Sequence, residues 1–257
     1  MIPCFFIGVH GVMMAMGVFV GMYFADRMAK QLGLDHQAMS SVLTWAVVGG
    51  FVFAHIFAVL AYRTADFLKT PWILFTPGRG WSMSSFGVFF GAALGVFACP
   101  GRKNVPVGAY GEALAFGAAP ASACGRLGCF LVHDQLGRRT DFFLAVRFPG
   151  GARHDLGLDE ALFWIFLTAF FLVFSRKRRP PGTYLMLVCL SYGPVRFLLD
   201  FLRATDIRYA DPRYFGLTLG QYGSLVVTIV GFALAGNAWR RRFAIQPQHG
   251  GPSPTCA

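Results

Sequence analysis

ALAFGAAPASACGRLGCFLVHD, residues 113–134, carries no charge until Arg126 and then sets Cys129, His133 and Asp134 within the next two or so helical turns. Its first half is built from Ala, Gly and Ser, residues that let helices approach closely in a membrane. An arginine inside such a stretch is costly in hydrocarbon, so the reading of this segment decides whether the chain is a soluble core protein or one that spans a bilayer. The surrounding sequence answers. Of 257 residues, 55% are hydrophobic and only 14% charged, against roughly a quarter charged in soluble domains.

Seven apolar runs follow one another, at about 4–24, 42–62, 83–99, 110–131, 160–175, 183–201 and 219–239. Backbone groups in lipid must be paired within their own segment, so each run is expected to be a helix. The expected fold is all-α: a polytopic membrane protein of about seven transmembrane helices forming a single domain over residues 1–243, with 244–257 a polar, disordered tail. The first run has neither a basic region ahead of it nor a small-x-small cleavage site after it, and is read as a retained helix. Arg176, Lys177, Arg178 and Arg179 directly follow the fifth run, and Arg240, Arg241 and Arg242 the seventh. These put the C-terminus in the cytoplasm and, with seven crossings, the N-terminus outside. The pair Arg102 and Lys103 agrees. Arg63, Arg79, Arg138, Arg139, Arg147, Arg153, Arg208 and Arg213 then fall in external loops, where anionic lipid headgroups are candidate partners.

The net charge of +11 invites a nucleic-acid reading, but the basic residues are separated by spans and form no continuous groove, so none is expected. The six Cys form no CxxC pair and most lie in apolar runs; no metal, cofactor or disulfide framework is expected.

Three polar segments stand out. Besides GRLGCFLVHD with Gly137 beyond it, YGPVRFLLDFLRATD spaces Arg196, Asp200 and Arg203 at i, i+4 and i+7, one helical face. RHDLGLDEALFW carries His154, Asp159 and Glu160 ahead of the fifth run. Each has a structural alternative: Arg196 and Asp200 as a self-neutralising pair, Glu160 as a helix-dipole partner, Cys129 as packing, and Glu112 as a buried hydrogen-bonding group.

Taken together, the segments resemble the prolipoprotein diacylglyceryl transferase family over nearly the whole chain: HGVMMAMG, MSSFGVFFG, GRLGCFLVHDQLG, RHDLGLDEAL, and YGPVRFLLDFLR followed by LGQYGS. Gly125, Arg126, Gly128, Phe130 and Gly137 match the signature GRxGNFxNGExxG. Tyr192, Gly193, Arg196, Asp200 and Arg203 match a later Tyr-Gly-x-x-Arg-x-x-x-Glu-x-x-Arg pattern. The resemblance implies a seven-helix bundle in the bacterial inner membrane. It also implies transfer of the diacylglyceryl group of phosphatidylglycerol to the lipobox Cys of a prolipoprotein signal peptide, forming a thioether. Arg126 and Arg196 are then candidates to stabilise the phosphate leaving group, and His10, His133 and Asp134 candidates for the base, with Asp200 beside them. Gly128, Cys129, Gly137, Tyr192, Arg203, His154 and Glu160 are candidates for substrate binding. The chain departs from the pattern at Cys129 (Asn in the family), Asp134 (Glu), His10 (Tyr), Phe86 (His), His55 (Arg) and Asp159 (Tyr). Those exchanges motivate a rival reading, a non-catalytic relative that binds anionic phospholipid or a membrane partner. A transporter is a third reading, against which no inverted repeat is visible.

Overall fold

The computed structural model describes residues 3–75, 83–100, 107–207 and 210–244. Arg79, Arg102, Lys103, Arg208 and the tail from 245 onward lie outside them. The described chain is a helical bundle: α1 (Pro3–Gln31), α2 (His36–Tyr62), the short α3 (Thr64–Lys69), α4 (Ser85–Ala98), α5 (Val107–Val132), α6 (Leu156–Phe174), α7 (Thr183–Leu199) and α8 (Leu219–Ala244). Six helices among the described residues are long and apolar enough to cross a membrane. The third apolar run yields only the 14 residues of α4, about 21 Å at 1.5 Å per residue, against a hydrocarbon core of about 30 Å.

Helix limits follow local chemistry. Gly33 at φ +70° ends α1, and Asp35 accepts from the Ala38 backbone N–H at 2.7 Å to start α2. Thr218 and Gln221 form a reciprocal capping box on α8: the Thr218 N–H donates to Gln221 Oε1 at 3.0 Å and the Gln221 N–H to Thr218 Oγ1 at 3.1 Å. Glu112, buried on α5, accepts backbone N–H bonds from Tyr184 and Leu185 at 3.0 and 3.3 Å, capping α7 from a neighbouring helix.

Helix α1 lies along α5, α2 along α4, α5 against α6 and α7 along α8. The α2–α4 seam depends on absent side chains. A Cβ on Gly91 would collide with the Gly49 carbonyl of α2, and one on Gly95 with that of Trp45. The core is Met39, Val42, Phe116, Trp164, Phe171, Tyr184 and Tyr192, while Phe19, Phe166, Ile229 and Phe232 face outward, as lipid contact requires.

The fold is all-α in its membrane part, with two small sheets in its polar loops. The arginine-rich loop after α5 folds as a three-stranded antiparallel sheet, β1 (Leu136–Arg139), β2 (Val146–Phe148) and β3 (Gly151–Asp155), in the order β1-β3-β2. A hairpin of β4 (Arg213–Tyr214) and β5 (Leu217–Thr218) precedes α8. Loops too polar for hydrocarbon satisfy their backbone groups by pairing with one another.

Candidate active site

The charged side chains that the bilayer should exclude converge where the end of α5, the start of α6, the end of α7 and the starts of α4 and α8 meet. Glu160, wholly buried, sits between two arginines. Its Oε2 lies 3.0 Å from Arg126 Nε and its Oε1 3.2 Å from Arg196 Nη1. The Tyr192 hydroxyl donates to Oε2 at 3.1 Å, and the Tyr192 ring packs on Trp164 at 4.6 Å between centroids. Arg126 Nη2 also donates to Ser85 Oγ on α4 at 3.0 Å. Arg196 Nη1 is 2.9 Å from Asp200 Oδ1, and Asp200 further accepts from Arg203 Nε at 2.9 Å and from the Thr218 hydroxyl. Arg203 continues the network to Gln135 at 2.5 Å and to Asp211.

The single helical face expected for Arg196, Asp200 and Arg203 is corrected here. Helix α7 ends at Leu199, Asp200–Leu202 form a 3-10 turn, and Arg203 is extended, bridging Gly137 of β1. Backbone pairing with the sheet draws the chain out of the helix: the Ala204 N–H donates to the Leu136 carbonyl at 3.1 Å. The Arg203–Asp200 contact survives because a 3-10 turn also brings i and i+3 together. A Cβ on Gly137 would lie 2.6 Å from the His154 Cβ, so Gly137 lets β1 lie close beside its partner strand β3.

At the end of α5 the chain turns by a Schellman motif. The Asp134 N–H donates to the Cys129 carbonyl at 3.4 Å and the His133 N–H to the Phe130 carbonyl at 3.1 Å, with His133 at φ +51°. This turn throws His133 and Asp134 to different sides. His133 Nδ1 lies 2.6 Å from Asp155 Oδ2, and the ring stands edge-on to Phe130 and Phe148. Asp155 is buried and caps α6 with its other oxygen, accepting from the Gly157 and Leu158 N–H groups at 3.0 and 3.3 Å. With Nδ1 turned to Asp155, Nε2 is the ring nitrogen left for other partners, in a side chain that is 40% exposed. Asp134 joins His10 and Cys129 instead: one imidazole nitrogen, the thiol sulfur and a carboxylate oxygen lie within 4.8 Å of one another. His10 reaches this point because Gly128 has no side chain; a Cβ there would sit 3.2 Å from His10 Nδ1.

His154 stands apart from the arginines, on β3, with its Nδ1 3.6 Å from Asp159 Oδ2 and its ring tilted against Phe142. Phe86, where the family pattern has His, is the neighbour that a Cβ on Gly223 of α8 would strike. His55 is buried on α2. Sequence reading missed Ser85, Asp155, Thr218, Gln221 and Gln135. Asp155 was signalled by its place just ahead of an apolar run, the position of an N-cap. Thr218 and Gln221 were signalled by the T-x-x-Q capping pattern. It also missed the loop clamp in which Arg153 donates to both oxygens of Asp206 at 2.9 and 2.6 Å. Those two hydrogen bonds hold the Asp206 carboxyl down at about 2.

Comparison with known proteins covers the same chain as a whole. A family model described as prolipoprotein diacylglyceryl transferase matches residues 1–236. The phosphatidylglycerol–prolipoprotein diacylglyceryl transferase of Campylobacter hominis is 29% identical over 237 residues, covering 87% of this chain and 84% of that protein. Its counterpart in Pseudomonas paraeruginosa is 27% identical over 245 residues, covering 93% and 91%. That of Clostridium tetani is 25% identical over 231 residues, covering 86% and 89%. With the signature arginine buried against Glu160 and the family match spanning nearly every described helix, the chain belongs to the prolipoprotein diacylglyceryl transferase family.

Proposed function

We propose that this chain transfers the diacylglyceryl group of phosphatidylglycerol to a prolipoprotein, and that the acceptor is the lipobox cysteine thiol of the signal peptide. The observation that carries the reading is the Arg126–Glu160–Arg196 constellation, two guanidiniums buried between membrane-spanning helices and bracketing one carboxylate. The thiolate attacks the glycerol carbon that bears the phosphate. An S–C bond forms, the C–O bond breaks, its electron pair stays on the phosphate oxygen, and glycerol phosphate leaves. Charge therefore accumulates on the phosphate, and Arg126 and Arg196 are the groups placed to stabilise it. His133, with Nε2 freed by Asp155, takes the thiol proton. Asp200, Glu160 and Tyr192 hold the arginines rather than touching substrate.

Orientation follows the same map. His10, the end of α5, the start of α6, the end of α7 and the start of α8 lie at one end of the bundle, and Arg176–Arg179 follow the opposite end of α6. By the positive-inside rule this supports a site at the outer leaflet of the bacterial inner membrane and an external N-terminus, with α4 read as the short seventh crossing. Arg138, Arg139 and Arg147 are exposed on the sheet beside Phe142 and Phe143, a composition suited to the headgroup layer. No nucleic acid partner is proposed.

The test is incubation of purified protein with phosphatidylglycerol and a lipobox peptide, read by mass. The wild type adds one diacylglyceryl group. Arg196→Ala abolishes transfer while the protein still inserts; normal activity in that variant overturns the assignment. Failure of the wild type to transfer, with headgroup binding intact, would favour the non-catalytic relative.

A further inference from the structure

We propose that His10, Cys129 and Asp134 form a zinc site with one open position, and that the open position takes the sulfur of the acceptor cysteine. The fold brings together residues that no sequence spacing connects: His10 from α1, Cys129 from the last turn of α5 and Asp134 from the turn beyond it. An imidazole nitrogen, a thiolate and a carboxylate oxygen are the three donor types zinc accepts, and three protein ligands with a vacant fourth position mark a catalytic rather than a structural zinc. Bonds of about 2.0 Å to nitrogen and oxygen and about 2.3 Å to sulfur require donors some 3.3–3.8 Å apart. The present separations, all within 4.8 Å, reach that by side-chain movements of about 1 Å.

Two further observations point to a ligand here. His10 Nδ1 is buried with no hydrogen-bond partner among the described residues, an expensive state that a metal bond would relieve. Gly128, in the turn that carries Cys129, leaves the room that brings the ring in. The three residues are also three of the positions at which this chain departs from the family signature, so the departures coincide in space.

The chemistry rests on the transferase reading and deepens it. A Cys129 thiolate and an Asp134 carboxylate cancel the charge of Zn2+, so an incoming thiol binds as thiolate to a neutral centre and keeps its electron density. Its proton is released to water as the sulfur binds. The zinc–sulfur bond is then exchanged for the S–C bond as the C–O bond breaks and glycerol phosphate departs with the electron pair. The metal undergoes no redox change.

The experiment uses the full chain in detergent, stripped with a chelator and titrated with Co2+, whose thiolate charge-transfer band reports sulfur ligation. The expected result is one Co2+ per chain with that band, loss of the band in Cys129→Ser, binding weakened by more than about 100-fold in His10→Gln, and an unchanged band in Cys124→Ser. Zn2+ should compete for the site, and lipobox-peptide transfer should fall at least about tenfold on stripping and return with Zn2+. A wild type without the band, or a band that persists in Cys129→Ser, overturns the site. Full transfer by stripped protein overturns the metal's role and leaves the transferase standing; a bound metal with no transfer supports the site and counts against the transferase.

Discussion

Changing Glu160 to Gln removes one charge and almost no volume from the buried arginine network. The carboxylate is wholly buried and pairs with Arg126 at 3.0 Å and Arg196 at 3.2 Å. With charge centres about 4 Å apart and an effective dielectric near 20, each pair is worth about 4 kcal/mol, from which the carboxylate's own desolvation, several kcal/mol, must be subtracted. Arg196 keeps Asp200, but Arg126 is left with neutral partners, the Ser85 hydroxyl among them. The expected loss is therefore about 3–5 kcal/mol, the range for stranding one member of a buried pair. Removing the stranded charge as well, in Glu160→Gln with Arg126→Met, should recover about 2 kcal/mol of that loss, because the penalty lies in the uncompensated guanidinium. Reversible unfolding in mixed detergent, followed by tryptophan fluorescence, measures all the variants of the cycle. A Glu160→Gln protein within about 0.5 kcal/mol of wild type would refute the reasoning, as would simple additivity of the two changes.

Glu112→Gln should cost about 1–3 kcal/mol in the same assay, since a neutral amide caps the Tyr184 and Leu185 N–H groups less well than a carboxylate. Gly91→Leu should prevent α2 and α4 from closing, seen as loss of cross-linking between cysteines introduced along that seam, whereas Gly236→Leu, whose Cβ meets nothing within 4 Å, should not. For Asp206, held at about 2 against an ordinary 3.8, the Arg153 clamp contributes stability that is present above about pH 4 and lost as pH falls through 2. Carboxyl-carbon NMR of Asp206 should show that low midpoint in the wild type and a return toward 3.8 in Arg153→Ala.

The spans were legible because hydrocarbon leaves a chain few options: a long run of apolar residues with no internal charge can only be a helix. Arg126 and Arg196 were legible for the complementary reason, that a charge at that depth must be held by something. What holds them was only half visible. Glu160 sits in an apolar run and drew notice as a charge, but Ser85, Thr218 and Gln135 are ordinary polar residues whose part is fixed by which helix ends meet. Arg203 was placed on a continued helix because periodicity carries no sign that β1 would claim its backbone. The sheet itself went unread, since its strands are three to five residues long and rich in arginine, too short for an alternating pattern to show. His10 and Cys129 fall in different helices, and no spacing rule links residues joined only by the close approach of α1 and α5.

The charge balance of the arginine network separates the roles of its two central members. Arg126, Arg196 and Arg203 face Glu160, Asp200 and Asp211, so the network is neutral as it stands, which is what allows it to be buried. An arriving phosphodiester must take its hydrogen bonds from groups whose present partners are cheapest to displace. Arg196 is engaged by two carboxylates, and freeing it strands charge. Arg126 spends its Nη2 on the Ser85 hydroxyl, a neutral partner that a phosphate oxygen can replace with a stronger, charge-assisted bond. On the proposed reaction, Arg126 is thus the arginine expected to meet the phosphate on binding. On the same reading, Arg196, across Glu160 from it, is the arginine expected to answer the second negative charge that develops as the C–O bond breaks, in competition with its Glu160 and Asp200 pairs. An interaction that strengthens only as that charge develops raises turnover rather than affinity.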